Sequence, residues 1–352
     1  MKIIICTLNL YGGGAERVAS LWAKGFYDQG HEVTMFLAEN KIAYDIPDVP
    51  IVVIGNEKFL IRQYISWYRV FRKQYKALKP DVFISVNHPW APIAKLAAIG
   101  TNIKVISTEH NAYEKPEYIK MSFMDRLHKF YLNKYVDAVT VLTNADKQYI
   151  GNRLSNVHVL PNPLTFEPVN SIPIKEKVIL AVGRIDSWHV KGFDLLAKAW
   201  NDIASDYPDW RLRIIGTGSD SNRQFIRSLA PNVDDKQFEI LDFDNRIIEH
   251  YKNSSIFVLS SRYEGFGMVL LEAMSQGCAC IACDYKGRQR EIIADGVDGL
   301  IARVDDVDDI KAKLETLICD KKLQTLLQTK AIEKSMCFSL ESVMKIWGKI
   351  IK

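Results

Sequence analysis

The sequence predicts an α/β protein made of two doubly wound domains. Three observations carry that expectation. Short apolar runs alternate with longer amphipathic ones along the chain, several short runs are apolar on both faces, and a proline-rich segment near residue 161 splits the series in two. Parallel strands covered by helices on both sides read as continuous apolar runs. At 352 residues the chain has the length of about two domains of ~100–200 residues.

In the first half, strands are expected at 2–8 (KIIICTL), 31–37 (HEVTMFL), 51–54, 81–86 (DVFISV), 103–108 and 137–142. Helices fall between most of them, at 15–29, 59–79, 89–99, 122–134 and 144–150. Pro161, Pro163, Pro168 and Pro173 then lie within thirteen residues. Proline lacks the amide donor that a helix or a central strand needs, so this stretch is a linker. A second series follows, with strands at 177–183, 210–215, 238–241, 255–259 and 279–283. Its helices are placed at 192–205, 221–229, 246–252, 267–276, 307–318 and 321–335, and an amphipathic segment, Ser339 to Ile351, closes the chain. The expected domains are therefore Rossmann-like units at 1–165 and 166–338, with 339–352 returning to the first. Facing across a cleft, both would present strand-end loops to it, where ligands of open α/β sheets bind.

Hydrophobic residues make up 48% and charged residues 25%, which excludes a disordered chain, a collagen-like repeat and a coiled-coil rod. No uncharged apolar stretch approaches the ~18 residues of a membrane span. The start, Met1-Lys2-Ile3-Ile4-Ile5, is too short an apolar run for a secretory signal and leads into glycines. The six cysteines show no disulfide spacing, so reduced thiols and a cytoplasmic location are expected. The net charge of +4 is uneven: residues 1–170 hold 20 Lys and Arg against 15 Asp and Glu, a balance of +5. An anionic partner for that half is one reading and chance is the other.

Gly12-Gly13-Gly14-Ala15-Glu16-Arg17 joins the first strand to the first helix. Glycines there admit a ligand close to the backbone, and the helix start offers free amides to an anion. A tight turn explains them equally well, and the G-x-G-x-x-G dinucleotide pattern is not met. Arg184 and Lys191 follow the strand 177–183, where two cations suit a diphosphate. Gly216-Thr217-Gly218-Ser219 follows the strand ending at Ile215. The segment SSRYEGFGMVLLEAM, 260–274, places Glu264 in a loop and Glu272 inside an apolar helix stretch. A carboxylate there needs a hydrogen-bond partner, and a ribose diol is one.

This E-x₇-E pattern resembles the signature of retaining glycosyltransferases of family 4, which use nucleotide sugars and have the two-domain GT-B fold. The resemblance extends to Gly13-Gly14-Ala15-Glu16-Arg17, Thr108-Glu109-His110-Asn111, Val182-Gly183-Arg184 with Lys191-Gly192-Phe193-Asp194, Ile214-Ile215-Gly216-Thr217-Gly218, and Glu291-Ile292-Ile293 with Asp295-Gly296-Val297-Asp298-Gly299-Leu300. It implies that Arg184 and Lys191 hold the donor diphosphate as leaving group and that Glu272 binds the ribose. Glu264, with Gly265, Phe266 and Gly267, would bind donor-sugar hydroxyls, and His110 would reach the sugar near the reacting carbon. Gly13, Gly14, Gly216 and Gly218 would pass close to the donor, and the loop at Phe243 would meet the nucleobase. Glu16 would lie near the acceptor. The implied reaction is front-face transfer with retention, needing no metal or other cofactor beyond the nucleotide sugar as co-substrate. An oxocarbenium-like transition state would be met by cations aimed at the departing diphosphate.

Three stretches depart from the family pattern, one of them Cys278-Ala279-Cys280, where the family often has proline after Gly277. The Arg184–Lys191 spacing is long and filled by Trp188-His189, and Lys286-Gly287-Arg288-Gln289-Arg290 carries extra cations that suit either an anionic acceptor or plain solvent exposure. Cys278, Cys280 and Cys283 read as buried strand residues, not metal ligands. Residues 58–79 hold Lys58, Arg62, Arg69, Arg72, Lys73, Lys76 and Lys79 and no acid. At 100° per residue Tyr64, Trp67, Tyr68, Phe71 and Tyr75 share a face, so a core-packed helix with a solvated basic side competes with a membrane-surface helix. Residues 115–135 repeat the mixture more weakly.

The expectation is a UDP-sugar-dependent hexosaminyl- or galactosyltransferase, peripheral to the inner face of the cell membrane. Its acceptor would be a glycan or a polyprenyl-diphosphate-linked glycan, with Arg69, Arg72 and Lys73 as acceptor contacts, in bacterial polysaccharide, O-antigen (lipopolysaccharide) or oligosaccharide assembly. No nucleic-acid motif is visible. The alternatives are a GDP-mannose-dependent transferase, a non-catalytic nucleotide-sugar-binding protein and a GT-B epimerase.

Overall fold

The computed structural model describes residues 1–44, 46, 48–55, 60–87 and 89–352, with backbone alone at Leu60 and Ile61. The chain divides into two compact units, Met1–Thr165 with Leu340–Lys352, and Phe166–Ser339.

The first unit is built from β1 (Lys2–Thr7), α1 (Gly14–Asp28), β2 (Glu32–Leu37), β3 (Ile51–Val53), α2 (Leu60–Leu78), β4 (Val82–Val86) and α3 (Trp90–Ala97), followed by β5 (Lys104–Thr108), α4 (Phe123–Phe130), β6 (Ala138–Val141), α5 (Asn144–Ile150) and β7 (Val157–Val159). The strands form one parallel sheet in the order β3-β2-β1-β4-β5-β6-β7. Ile3, Ile4, Ile5 and Cys6 are all buried, as a central strand covered on both faces requires. Ile3 pairs with Val33 on one side and Val82 on the other.

The second unit contains β8 (Glu176–Val182), α6 (Trp188–Lys191), α7 (Phe193–Ile203), β9 (Arg211–Ile215), α8 (Asp220–Ser228), β10 (Phe238–Leu241) and α9 (Ile247–Asn253). It continues with β11 (Ser254–Leu259), α10 (Met268–Ser275), β12 (Ala279–Cys283), β13 (Leu300–Ala302), α11 (Val307–Cys319) and α12 (Lys321–Ser335). Its sheet is parallel in the order β10-β9-β8-β11-β12-β13. Two Rossmann-like α/β units are thus observed. In each, the strand order reverses beside the first strand, between β1 and β4 and between β8 and β11.

β7 and β13 are not among the expected strands. Each is three residues long and pairs at a sheet edge, so its strand character comes from its neighbour and not from its own pattern. The expected helix 122–134 stops at Phe130 and continues as a short turn, Leu132–Lys134. The expected basic helix starts at 59 and its charge run at Lys58. Both positions lie outside the described residues.

The last helix, α13 (Leu340–Ile350), packs on α1 of the first unit. Trp347 is fully buried and meets Trp22 edge-on at 5.0 Å and Phe26 at 5.6 Å. Gly25 gives this helix room: a Cβ there would lie 2.8 Å from the Met344 sulfur. Lys104 Nζ donates to the Ile350 carbonyl at 2.6 Å, satisfying one of the helix's terminal acceptors. Trp347→Ala is therefore expected to destabilise the first unit by about 3–5 kcal/mol, read as a lower denaturant midpoint for that unit's transition.

Candidate functional site

In parallel sheets the loops leaving the carboxyl ends diverge where strand order reverses, and a ligand has room there. In the second unit these loops follow β8 and β11. They are packed against each other with no space for a side chain at the contact. A Cβ on Gly192, whose φ is +65°, would lie 1.9 Å from the Ser260 carbonyl oxygen. Ser260 Oγ donates to the Lys191 carbonyl at 2.9 Å, and the Arg262 amide donates to that of Val190 at 2.8 Å.

A buried ion pair locks the junction. Arg262 is 8% exposed and Asp194, in the first turn of α7, is 7% exposed. Two guanidinium nitrogens reach the two Asp194 oxygens at 2.7 and 2.8 Å, in the bidentate geometry that suits Arg and a carboxylate. Nη1 also donates to the His189 carbonyl at 2.6 Å, and Nε pairs with Asp305. The long Arg184–Lys191 spacing is taken up by a short turn, Ile185–Ser187, and by α6, with Trp188 packed on Phe225 at 4.5 Å.

On this platform Lys191 Nζ stands 2.6 Å from Glu264 Oε1, which also accepts from Ser261 Oγ at 2.8 Å. Arg184 is exposed. Glu272 is 7% exposed within α10, and its Oε2 accepts from the Tyr251 hydroxyl at 2.9 Å. Gly267, at φ +97°, precedes α10, and the Phe266 ring is buried edge-on to Phe338. Phe243 is half exposed. Packing requires glycine at Gly216 and Gly218, since Cβ atoms there would lie 1.7 Å from the Gly183 oxygen and 2.4 Å from the Ile185 Cβ.

The first unit gathers a second cluster at the ends of β1, β4 and β5. Gly13 and Gly14 open α1, and the Glu16 carboxylate folds back over them: a Cβ on Gly13 would lie 1.7 Å from Glu16 Oε2. Burial pushes the Glu16 carboxyl above its ordinary range, and a hydrogen bond from its own amide opposes that. A carboxylate of the chain thus occupies the helix start that was expected to receive a ligand anion.

His110 follows β5. Its Nδ1 is 3.0 Å from the side-chain oxygen Oδ1 of Asn162, and its amide donates to Asn87 Oδ1 at 2.7 Å. A carbonyl oxygen only accepts, so with this Asn162 orientation the ring proton sits on Nδ1 and Nε2 keeps a lone pair. The ring packs on Trp22 at 5.2 Å. Burial pushes the imidazole down to about 4, against a smaller upward pull from Asn162.

Several contributors escape the sequence reading. Asn162 sits between two linker prolines, and Asn87 holds φ +60°, a backbone region that Asn tolerates better than most residues. Their polar side chains beside a proline and past a strand end were the available signals. Arg262 and Tyr251 carried none, because their roles depend on distant partners.

Two expectations about basic residues change. Arg72 does not face outward with Arg62, Arg69, Lys73 and Lys76; its guanidinium donates to the carbonyls of Ala97 and Ile99, both at 2.9 Å, and so caps the end of α3. Trp67, Phe71 and Tyr75 of the same helix are buried in the core. Arg288 is fully buried against the Tyr285 ring and Arg290 pairs with Asp284 at 2.7 Å, so these two extra cations serve the fold. Cys278, Cys280 and Cys283 are buried, and burial pushes their thiols up. Among the described residues no helix is long and apolar enough to cross a membrane.

Residues 12–167 match the family model Glycosyltransferase Family 4, and residues 165–334 match Glycosyl transferases group 1. An uncharacterized glycosyltransferase of Haemophilus influenzae is 27% identical over 96% of both chains. An N-acetylgalactosamine-N,N'-diacetylbacillosaminyl-diphospho-undecaprenol 4-alpha-N-acetylgalactosaminyltransferase of Campylobacter jejuni is 26% identical over 96% of this chain and 95% of its own. The crystal structure of a Rickettsia africae glycosyltransferase superposes with a TM-score of 0.81, covering 100% of this chain and 98% of its own at 19% identity.

Two outcomes are expected. The His110 imidazole should titrate near pH 4 in NMR spectra, far below 6.5. The unfolded chain takes up that proton first, so this contribution to stability is complete above pH 6.5 and is lost as pH falls toward 4. Arg262→Ala strands Asp194 as a buried unpaired charge and should cost about 3–5 kcal/mol in chemical denaturation of the second unit.

Proposed function

The chain belongs to the glycosyltransferases of the GT-B fold, and we propose that it moves a hexosamine or hexose from a UDP-sugar to a glycan or lipid-linked glycan with retention of configuration. The observation that carries this reading is the Lys191–Glu264 pair, held at the carboxyl ends of β8 and β11 by the Arg262–Asp194 lock. Each is the other's partner. A donor diphosphate takes Lys191, with exposed Arg184 as second cation, and Glu264 is released to the hydroxyls of the transferred sugar.

Glu272 exchanges or shares its Tyr251 hydrogen bond with the ribose diol. The loop at Phe243 borders the base, and His110 Nε2 accepts from a donor-sugar hydroxyl. Gly13 and Gly14 admit the donor once Glu16 swings off α1 toward the acceptor. The bond from the anomeric carbon to the diphosphate oxygen breaks and the acceptor oxygen bonds to the same face. The acceptor proton passes to the departing diphosphate, and the growing negative charge there meets cations already in position. The reaction proceeds without a metal or other cofactor.

The choice of donor rests on the resemblance of the Thr108–Asn111 and Ser261–Glu272 runs to bacterial hexosaminyl- and galactosyltransferases. The acetylgalactosaminyl transfer named for the Campylobacter relative supports it, and that name also supports a role in lipid-linked oligosaccharide or surface polysaccharide assembly. The exposed Arg62, Arg69, Lys73 and Lys76 of α2 would hold the protein against an anionic membrane.

A panel of UDP- and GDP-sugars, assayed for nucleotide release and for protection against thermal unfolding, tests the assignment. Release from a UDP-hexosamine or UDP-hexose is expected, unchanged by EDTA. Lys191→Ala should lower kcat about 10²–10³-fold. Turnover with GDP-mannose alone would overturn the donor, a near-normal rate in Lys191→Ala would overturn that residue's role, and no turnover with any donor would overturn the proposal.

A further inference from the structure

Arg223 is the fourth residue of α8, and its side chain is 14% exposed. A cation near a helix start meets the positive end of the helix dipole, so α8 itself does not account for it. Its guanidinium is directed at two loops. Nη2 donates to the carbonyls of Gly216 and Gly218, after β9, both at 3.2 Å. Nη1 donates to the carbonyl of Leu241, the last residue of β10, also at 3.2 Å, and Nη2 pairs with Asp242 in the loop that follows. Both loops leave carboxyl ends of the sheet, and Phe243 comes directly after Asp242.

The loop after β9 is held from its other side as well. Asp186, in the turn after β8, accepts from the Ser219 amide at 2.8 Å, from the Ser219 hydroxyl at 2.9 Å and from Asn222 Nδ2 at 2.9 Å. That loop is thus anchored toward β8 by a carboxylate and toward β10 by a guanidinium. A planar fork of five donors can serve several carbonyls and a carboxylate at once, whereas the ammonium of lysine is one point charge on a flexible stem. Arg227, one turn further along α8, gives the contrast. It donates to the carbonyls of Ala230, at 2.7 Å, and Val233, pairs with Asp235 at 3.1 Å, and lies 5.4 Å from the centre of the Phe238 ring. Arg227 closes the fold at the amino end of β10; Arg223 works at the carboxyl end.

We propose that Arg223 is a positioning residue for the nucleoside half of the donor, setting the spacing of the loops after β9 and β10 between which the base is seated. The inference rests on the transferase reading, in which the loop at Phe243 borders the base. Loops fixed in advance need little ordering when a nucleotide arrives, so less of its binding energy is spent on them. Lys191 and Glu264 stand on the loops after β8 and β11, to which Arg223 does not bond. Its loss should therefore be felt by the nucleoside and not by the diphosphate or the chemical step.

The full-length wild type, Arg223→Ala, Arg223→Lys and Arg227→Ala are compared by calorimetric titration with UDP, UMP and inorganic pyrophosphate, and by donor kinetics. GDP and GMP replace the uridine nucleotides if the active donor carries guanosine. In both Arg223 variants UDP and UMP affinity should fall about tenfold or more, with the donor KM rising to match. Pyrophosphate affinity, and kcat at saturating donor, should stay unchanged. Arg227→Ala should lower the thermal midpoint and leave UMP affinity as it was. Wild-type UMP affinity in either Arg223 variant overturns the proposal. So does an equal loss of pyrophosphate affinity, or an equal loss of UMP affinity in Arg227→Ala, since either makes Arg223 a general support of the unit. If Arg223→Ala fails to fold, Arg223→Lys decides. Nucleotide binding that survives every Arg223 variant overturns this inference alone; a wild type that binds no nucleotide overturns the transferase reading and this inference with it.

Discussion

The second unit depends on one constraint, that the charges of Arg262 and Asp194 are buried and must satisfy each other. Removing a carboxylate and a guanidinium from water costs several kcal/mol per ion, and only near-ideal geometry offsets it. Here both oxygens of Asp194 are used, and two further donors of Arg262 go to the His189 carbonyl and Asp305. Those partners come from α6, α7 and the loop after β13, and Arg262 itself from the loop after β11. The pair therefore adds little net stability but allows few alternatives. The loops that carry Lys191 and Glu264 are fixed relative to each other because any other arrangement would strand a charge.

The first unit has an apolar counterpart in Trp22. It is buried between Trp347 of α13 and the His110 ring. The returning helix thereby acts on chemistry about 230 residues earlier in the chain. It closes the apolar side of His110, and loss of hydration keeps the imidazole neutral. Asn162, on the other side, selects which nitrogen holds the proton. Packing sets the charge and one hydrogen bond sets the tautomer.

Much of this architecture was legible in the sequence, for physical reasons that can be named. Central strands such as β1, β4 and β11 are buried on both faces, so their apolar runs could hardly be anything else. Glu272 stood out because a carboxylate in Val-Leu-Leu-Glu-Ala-Met demands a partner, though the partner found is Tyr251. What stayed hidden is whatever depends on distant residues. β7 and β13 are strands because of their neighbours. Arg72 reads as an acceptor contact among the cations of α2, yet its guanidinium is taken by two carbonyls at the end of α3. Arg288 looked like an exposed charge in a basic turn and is a buried one. A charge pattern reports how many cations a segment holds; only the fold decides which of them backbone acceptors have already claimed.

The same distinction applies to the charged groups at the strand ends of each unit. In the second, Lys191 is matched by Glu264; in the first, Lys129 is matched by Glu109 and the start of α1 by Glu16. On the proposed reaction, a diphosphate would reach Lys191 by partner exchange and not by simple gain. The ground-state advantage would be reduced by the contact with Glu264 given up. The transition state would differ. As negative charge grew on the leaving group, the cation's interaction with it would strengthen, while the cost of separating the pair had already been met on binding. Such pairing would spend less of the electrostatics on holding substrate and keep more for the moment when charge develops.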